Sequence, residues 1–182
     1  MKFKTLLFFV IPFLTVMFSC KNEKDIDSLE IVRPQIVDDI FKVKLNVVVK
    51  KEDNFSLYFT TDGTTNFKAD PLWLNIKGSS EVQEIMFSLG KGITPSQLRL
   101  DFGMNKDQED IVFKSIVFEY NNKKRIIEGQ ELGNFFRADN NKCTFDSKTG
   151  VIKANIVNGV KQFPSLYPHE SNLLPELKKI LN

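Results

Sequence analysis

Phe41-Lys42-Val43-Lys44-Leu45-Asn46-Val47-Val48-Val49-Lys50 alternates apolar with mainly basic or polar side chains at a period of two residues. In an extended chain this period places Phe41, Val43, Leu45, Val47 and Val49 on one face and the lysines on the other. The segment reads as a strand buried on one side and wet on the other. Phe55, Leu57 and Phe59 then alternate with Ser56, Tyr58 and Thr60 after a polar Glu52-Asp53-Asn54 turn. That arrangement predicts an antiparallel hairpin with the first strand.

The same period recurs along the chain. Leu72, Leu74 and Ile76 alternate with Trp73 and Asn75. Residues 82–89 and Gln97–Phe102 follow, bounded by Gly90-Lys91-Gly92 and Thr94-Pro95-Ser96. Ile111–Tyr120 is the strongest later strand. Its apolar parity changes between Phe113 and Ile116, which fits a bulge or a strand buried on both faces. Arg125-Ile126-Ile127 predicts a brief strand, and Leu132 with Phe135 and Phe136 has the spacing of one helical turn. Residues 142–145 and 151–156 flank a turn at Asp146-Ser147-Lys148-Thr149-Gly150. Leu173, Leu174, Leu177, Ile180 and Leu181 mark a closing helix from Glu170, which Pro175 weakens unless it sits in the first turn. Many short strands without intervening helices predict an all-β fold: an antiparallel β-sandwich, jelly-roll-like, with a short C-terminal helix.

The N-terminus has a different character. Lys2 and Lys4 precede a stretch, residues 5–19, with no charged side chain and an apolar run Leu6-Leu7-Phe8-Phe9-Val10-Ile11. This is too short to span a bilayer stably and has the pattern of an export signal. It ends Val16-Met17-Phe18-Ser19-Cys20, with a small residue directly before cysteine. The segment resembles the lipobox of bacterial lipoproteins, although Met17 and Phe18 depart from its commonest form. The resemblance implies cleavage after residue 19 and acylation of Cys20, palmitate included. The polar run Lys21-Asn22-Glu23-Lys24-Asp25 is similar to Bacteroidetes-type lipoproteins, which implies an outer-membrane or cell-surface address. Several acyl chains give a stable anchor where one would be marginal. The predicted organisation is therefore residues 1–19 as signal peptide, 20–38 as lipidated cysteine and flexible tether, and 39–182 as the β-sandwich domain.

Composition narrows the function classes. The formal charge of +2 disappears when Lys2 and Lys4 are removed with the leader, leaving 23 basic and 23 acidic side chains. A neutral body offers no clustered positive surface for nucleic acid. With Cys20 lipidated, Cys143 has no intramolecular partner, so a disulfide framework is excluded. Cys143 reads as a buried, inert thiol. One histidine, His169, excludes metal sites that need two. A nucleophilic triad would have to use that histidine, which lies in a loop-like stretch between Pro168 and Glu170 and reads as an ordinary surface residue. A glycosidase needs two carboxylates at a set separation, and no compact acidic motif on one strand supplies them.

Leu98-Arg99-Leu100-Asp101-Phe102-Gly103 followed by Ile111-Val112-Phe113-Lys114-Ser115-Ile116-Val117-Phe118 resembles a strand pair of galactose-binding-like and carbohydrate-binding jelly rolls. The similarity lies mostly in apolar spacing, over roughly residues 41–136, and implies a fold more than a ligand. Glycan recognition uses exposed aromatic rings flanked by polar groups. Trp73 is the leading candidate because its parity is opposite to Leu72, Leu74 and Ile76. Tyr58 and Tyr120 are secondary ones. The competing reading puts the lone tryptophan in the core. Asp101, Asn105, Asp107 and Asp110 cluster around one loop and are the candidate ligands of a structural calcium; turn residues capping their own backbone are the alternative. Lys123-Lys124-Arg125 reads as a solvated edge that discourages strand pairing. These readings predict a non-catalytic cell-envelope lipoprotein, held to the membrane through Cys20, whose β-sandwich binds glycan. The alternatives are a structural or assembly subunit contacting other envelope proteins and a carboxylate-dependent glycoside hydrolase.

Overall fold

The computed structural model describes residues 39–181. The leader, Cys20 and the tether through residue 38 lie outside the described residues. The first strand, β1 (Lys42–Val49), is buried at every second position, as its alternation requires. The strands β2 (Asp53–Thr60), β3 (Leu72–Ile76), β4 (Ser79–Ser88), β5 (Gln97–Phe102), β6 (Ile111–Tyr120) and β7 (Lys123–Glu128) follow. A 3-10 turn and a single-turn α1 (Leu132–Phe135) lead to β8 (Phe136–Ala138), β9 (Cys143–Asp146) and β10 (Val151–Ala154). A small hairpin, β11 (Ile156–Val157) and β12 (Val160–Lys161), precedes β13 (Ser165–Pro168) and the closing helix α2 (Glu170–Leu181).

Two antiparallel sheets result. One runs β4-β1-β6-β10-β9, with β7 paired to β6; the other runs β3-β2-β5-β13-β8. Successive strands cross repeatedly from one sheet to the other, as in a jelly roll. The predicted hairpin between β1 and β2 is corrected: the two belong to different sheets, and β2 pairs with β3 and β5. Alternation alone shows which face of a strand is apolar. It does not say whether the next strand lies beside it or across the core, since both arrangements bury that face. Here the connection from Val49 to Asp53 passes from one sheet to the other, and the inward rows of β1 and β2 enter the same core.

The parity change in β6 is a bulge. Asn46 pairs with Ser115 and Val47 with Phe113, so Lys114 has no opposite number. The bulge returns Phe113, Ile116 and Phe118 to the interior, each fully buried. Val117, on the opposite side, is also buried, so the alternative of burial on both faces holds locally as well. Phenylalanine fills the space between the sheets. Phe113 of the first sheet stands 5.7 Å from Phe102 and 6.4 Å from Phe136 of the second, ring centre to ring centre. Phe55 meets Phe102 edge-on at 5.2 Å, the geometry that aromatic quadrupoles favour.

α2 packs against β6, β7 and β5, burying Leu173, Leu177 and Ile180. Pro175 sits in its second turn, where the missing N–H deprives the Ser171 carbonyl of its usual helical donor. Arg125 of β7 ties the helix down from outside, its guanidinium held by both Glu176 of α2 and Glu131. Hydrogen bonding from Lys179, joined by the Arg125 contact, holds the Glu176 carboxyl below its ordinary pKa of 4.5 against the opposing effect of burial. A carboxyl with a lowered folded pKa contributes stability above the ordinary value and loses it as pH falls through the folded one. The expected outcome is that Glu176→Gln lowers the thermal midpoint at pH 7 and flattens its fall on acidification below pH 4.5. Paired melts of the two proteins from pH 7 to 3 measure this. No helix among the described residues is long and apolar enough to cross a membrane.

Candidate functional site

The outer face of the β3-β2-β5-β13-β8 sheet gathers side chains that the apolar alternation turns away from the core. On edge strand β3, Ile76 is buried and Leu72 and Leu74 are half-buried inward, so Trp73 points out and is 52% exposed. Its register partner is Ser56, which pairs in turn with Asp101, and Asp101 with Ser165. One row across four strands therefore reads Trp73, Ser56, Asp101, Ser165. Ser56 lies buried in the row, and its hydroxyl has no hydrogen-bond partner among the described residues.

Beside the tryptophan is a cavity of about 130 Å3 whose wall includes Asn54, Asp101, Lys142, Met104 and Phe163. It pairs flat apolar surface with hydrogen-bonding groups of both kinds: a carboxylate, an amide and an ammonium. Met104 and Phe163 are themselves 51% and 40% exposed, so the apolar part of the wall faces solvent and not the core. A sugar ring has that same duality, with C–H faces and hydroxyl edges.

The neighbouring row is aromatic and cationic. Arg99 lies opposite Tyr58, its guanidinium carbon 4.1 Å from the centre of that ring and 5.2 Å from the Tyr167 ring. Arg137 pairs with Tyr167 and lies 5.7 Å from its centre. Phe67 closes the group edge-on, 6.5 Å from Tyr58 and 6.1 Å from Tyr167. Arg99 donates from Nε to Asp101 Oδ1 at 2.8 Å and makes a second contact between Nη2 and Oδ2. This fork fixes the carboxylate on the cavity wall and raises the guanidinium pKa above its ordinary value.

The three candidate aromatics are thus divided. Trp73 and Tyr58 share the face, but Arg99 covers one side of the Tyr58 ring, which suits Tyr58 to support more than to direct stacking. Tyr120 belongs to β6 in the other sheet, packs 6.2 Å from Phe41, and borders a separate surface cleft with Lys42, Glu119 and Asn122.

The four candidate calcium ligands are also divided. Asp101 is engaged by Arg99. The Asn105 side-chain Oδ1 accepts the Asp107 backbone N–H at 2.9 Å, a turn capping itself, and its Nδ2 donates to the Glu52 carbonyl at 2.8 Å. Asp107 and Asp110 are exposed. Among the described residues no three His, Cys, Asp or Glu side chains converge as metal ligands would.

What organises this loop is Asp53, which is 3% exposed. Its Oδ1 accepts backbone N–H groups from Asn54, Met104 and Asn105 at 2.8, 2.6 and 3.0 Å, and its Oδ2 accepts the Gln108 amide at 3.0 Å. Gly103 lets the carboxylate approach. Its φ is +79°, and a Cβ there would strike Asp53 Oδ2. Asp53 and Gly103 together set the position of Met104 at the cavity rim.

Cys143 is fully buried, its thiol donating to the Ser165 carbonyl at 3.4 Å, and burial pushes its pKa up. That is the environment of an inert thiol. His169 serves the backbone: its N–H donates to the Phe135 carbonyl at 2.7 Å, and its own carbonyl starts α2 by accepting from Asn172 and Leu173.

Sequence reasoning missed Asn54, Lys142, Phe163 and Tyr167 as members of the face. Parity places Asn54 outward, so it was within reach. The other three come from segments whose position depends on pairing distant in the chain. Comparison of the chain with protein-family models, with curated proteins and with solved structures finds no match in any of the three.

Proposed function

We propose that the protein is a non-catalytic glycan-binding module, exported and anchored to the outer membrane or cell surface through lipid on Cys20. The observation that carries the binding reading is the half-exposed Trp73 ring beside a small polar-walled cavity. Alternation turns the ring to the solvent side of edge strand β3, where its flat apolar face is open to a ligand. The ring faces solvent next to Asp101, Asn54 and Lys142, a set suited to hydroxyl groups. The test is affinity electrophoresis and array binding with the folded, non-lipidated protein. Retention by at least one glycan, lost in Trp73→Ala, is the expected result; no retention across the panel contradicts the reading.

The address rests on the leader and Cys20. Cys20→Ser is expected to abolish palmitate incorporation and to move the protein out of the membrane fraction. Unchanged membrane attachment would contradict it.

A second reading, an assembly subunit of an envelope complex, is favoured by one feature. The β11–β12 hairpin exposes Ile156, Val157 and Val160 at 72%, 45% and 56%, around an Asn158-Gly159 turn with both residues at positive φ. Three aliphatic side chains on a solvent-facing hairpin suit a protein contact. If that reading is correct, Ile156→Lys with Val160→Lys removes a stoichiometric partner in cross-linked cells and leaves glycan retention intact.

A further inference from the structure

We propose that the glycan taken by this face is acidic, with a sugar carboxylate or sulfate held between Arg137 and Lys142 while Trp73 stacks on a neighbouring ring; this rests on the glycan-binding reading. The argument starts from how the three cations of the face are occupied. Arg99 is consumed: Asp101 takes its fork, Tyr58 and Tyr167 flank it, and only 15% of its side chain is exposed. Arg137 and Lys142 are different. Arg137 is 49% exposed, its nearest carboxylate is Glu170 at 3.8 Å, and its guanidinium makes no hydrogen bond among the described residues. Lys142 is 37% exposed and has one long hydrogen bond, to Ser165 Oγ at 3.4 Å, with Asp139 at 4.0 Å. Both therefore keep donors directed to solvent, and a guanidinium in that state is built for forked contact with a carboxylate or sulfate.

Position adds the second part. Arg137, Asp139, Asn140, Asn141 and Tyr167 border a shallow cleft of about 360 Å3. Lys142 lines the Trp73 cavity. The Asp139–Cys143 turn joins the two: Lys142 and Cys143 donate their N–H groups to the Asp139 carbonyl at 2.8 Å, and Asn141 N–H caps Asp139 Oδ1 at 3.1 Å. Lys142 thus stands at the junction of an aromatic cavity and a cleft ended by Arg137. From β3 to β8 there are four strand spacings, about 19 Å, a span that suits an oligosaccharide and exceeds a single sugar. Asp101, Glu170 and Asp139 balance the three cations in number, but only Asp101 takes a fork, so the case for an anion rests on the unused donors of Arg137 and Lys142.

The test uses full-length protein in detergent against polygalacturonate, its methyl ester, carrageenan (a sulfated galactan without uronic acid) and a neutral galactan. The methyl ester keeps the sugar and removes the charge. The expected result is that polygalacturonate or carrageenan binds at least about tenfold more tightly than either neutral polymer, the two acidic polymers distinguishing carboxylate from sulfate. Arg137→Gln combined with Lys142→Gln should bring the ratio of acidic-polymer to neutral-polymer affinity down to about one, and that ratio is the readout because Lys142 also lines the cavity that takes neutral sugars. Equal binding of acid and ester, or a preference that survives the double substitution, overturns the acidic assignment and leaves the glycan reading standing. Binding to none of the four, together with an empty glycan array, overturns both.

Discussion

Trp73→Ala is expected to remove glycan retention altogether while the far-ultraviolet spectrum and the melting transition stay within a degree or two of the parent. The ring is more than half exposed on an edge strand, so its loss opens no core cavity. Stability should change by no more than about 0.5 kcal/mol, the range of ordinary surface substitutions. Binding is another matter. Stacking a sugar face on indole removes apolar area from water on both partners, and losing it costs about 2 kcal/mol, or roughly thirtyfold in affinity. For a ligand held by a shallow face that change carries binding below detection in an affinity gel. Trp73→Phe should recover part of it, because a smaller flat ring remains. A variant that still binds as the parent does would place the ligand elsewhere.

The largest expected effect on stability is at Asp53. Its carboxylate collects three backbone N–H groups and one side-chain amide in a site that is 3% exposed. Removing an acceptor that satisfies several donors is costlier than removing one hydrogen bond, since each buried donor left unpaired costs about 1–3 kcal/mol. Asp53→Ala is therefore expected to destabilise the domain by about 3 kcal/mol or more, measured by urea unfolding. Asp53→Asn should be milder. Its carbonyl oxygen can keep the three contacts of Oδ1, while its amide meets the Gln108 amide donor to donor. Because the same loop holds Met104 at the rim of the Trp73 cavity, any Asp53 variant that folds should also bind glycan less well. A neutral result in both measurements would mean that the loop is positioned by other contacts.

These two residues also mark where the sequence was legible and where it was not. Period-two alternation identified β1 and β5 because each buries one face and the side-chain period of a strand is fixed, and β6 was read from its apolar run although its centre is buried on both faces. Parity offered Trp73 an outward position with the core as the competing reading, and the ring is 52% exposed. The bulge at Lys114 was visible as a parity change. Sheet membership was not visible: the β1–β2 connection could have been a hairpin turn or a crossing between sheets, and residues 50–52 are polar in either case. Asp53 was read only as a turn residue. Its burial depends on Gly103, Met104 and Asn105 arriving from about fifty residues away in sequence, a contact that no local pattern encodes. The candidate calcium cluster failed to converge for a related reason. Proximity in sequence put Asp101 and Asp107 together, but alternation turned Asp101 onto the sheet face, where Arg99 two residues earlier claimed it. Tyr167 and Lys142 joined the site through the pairing of β13 with β5 and β8, which likewise lies beyond local reading.

Trp73 is the only tryptophan in the chain, so its fluorescence reports on this face alone. Titration of the protein with whichever glycan an affinity gel retains should shift and saturate the tryptophan emission, with a midpoint equal to the affinity measured by calorimetry. A glycan that binds by calorimetry while the emission stays unchanged would contradict the assignment of this face as the binding site.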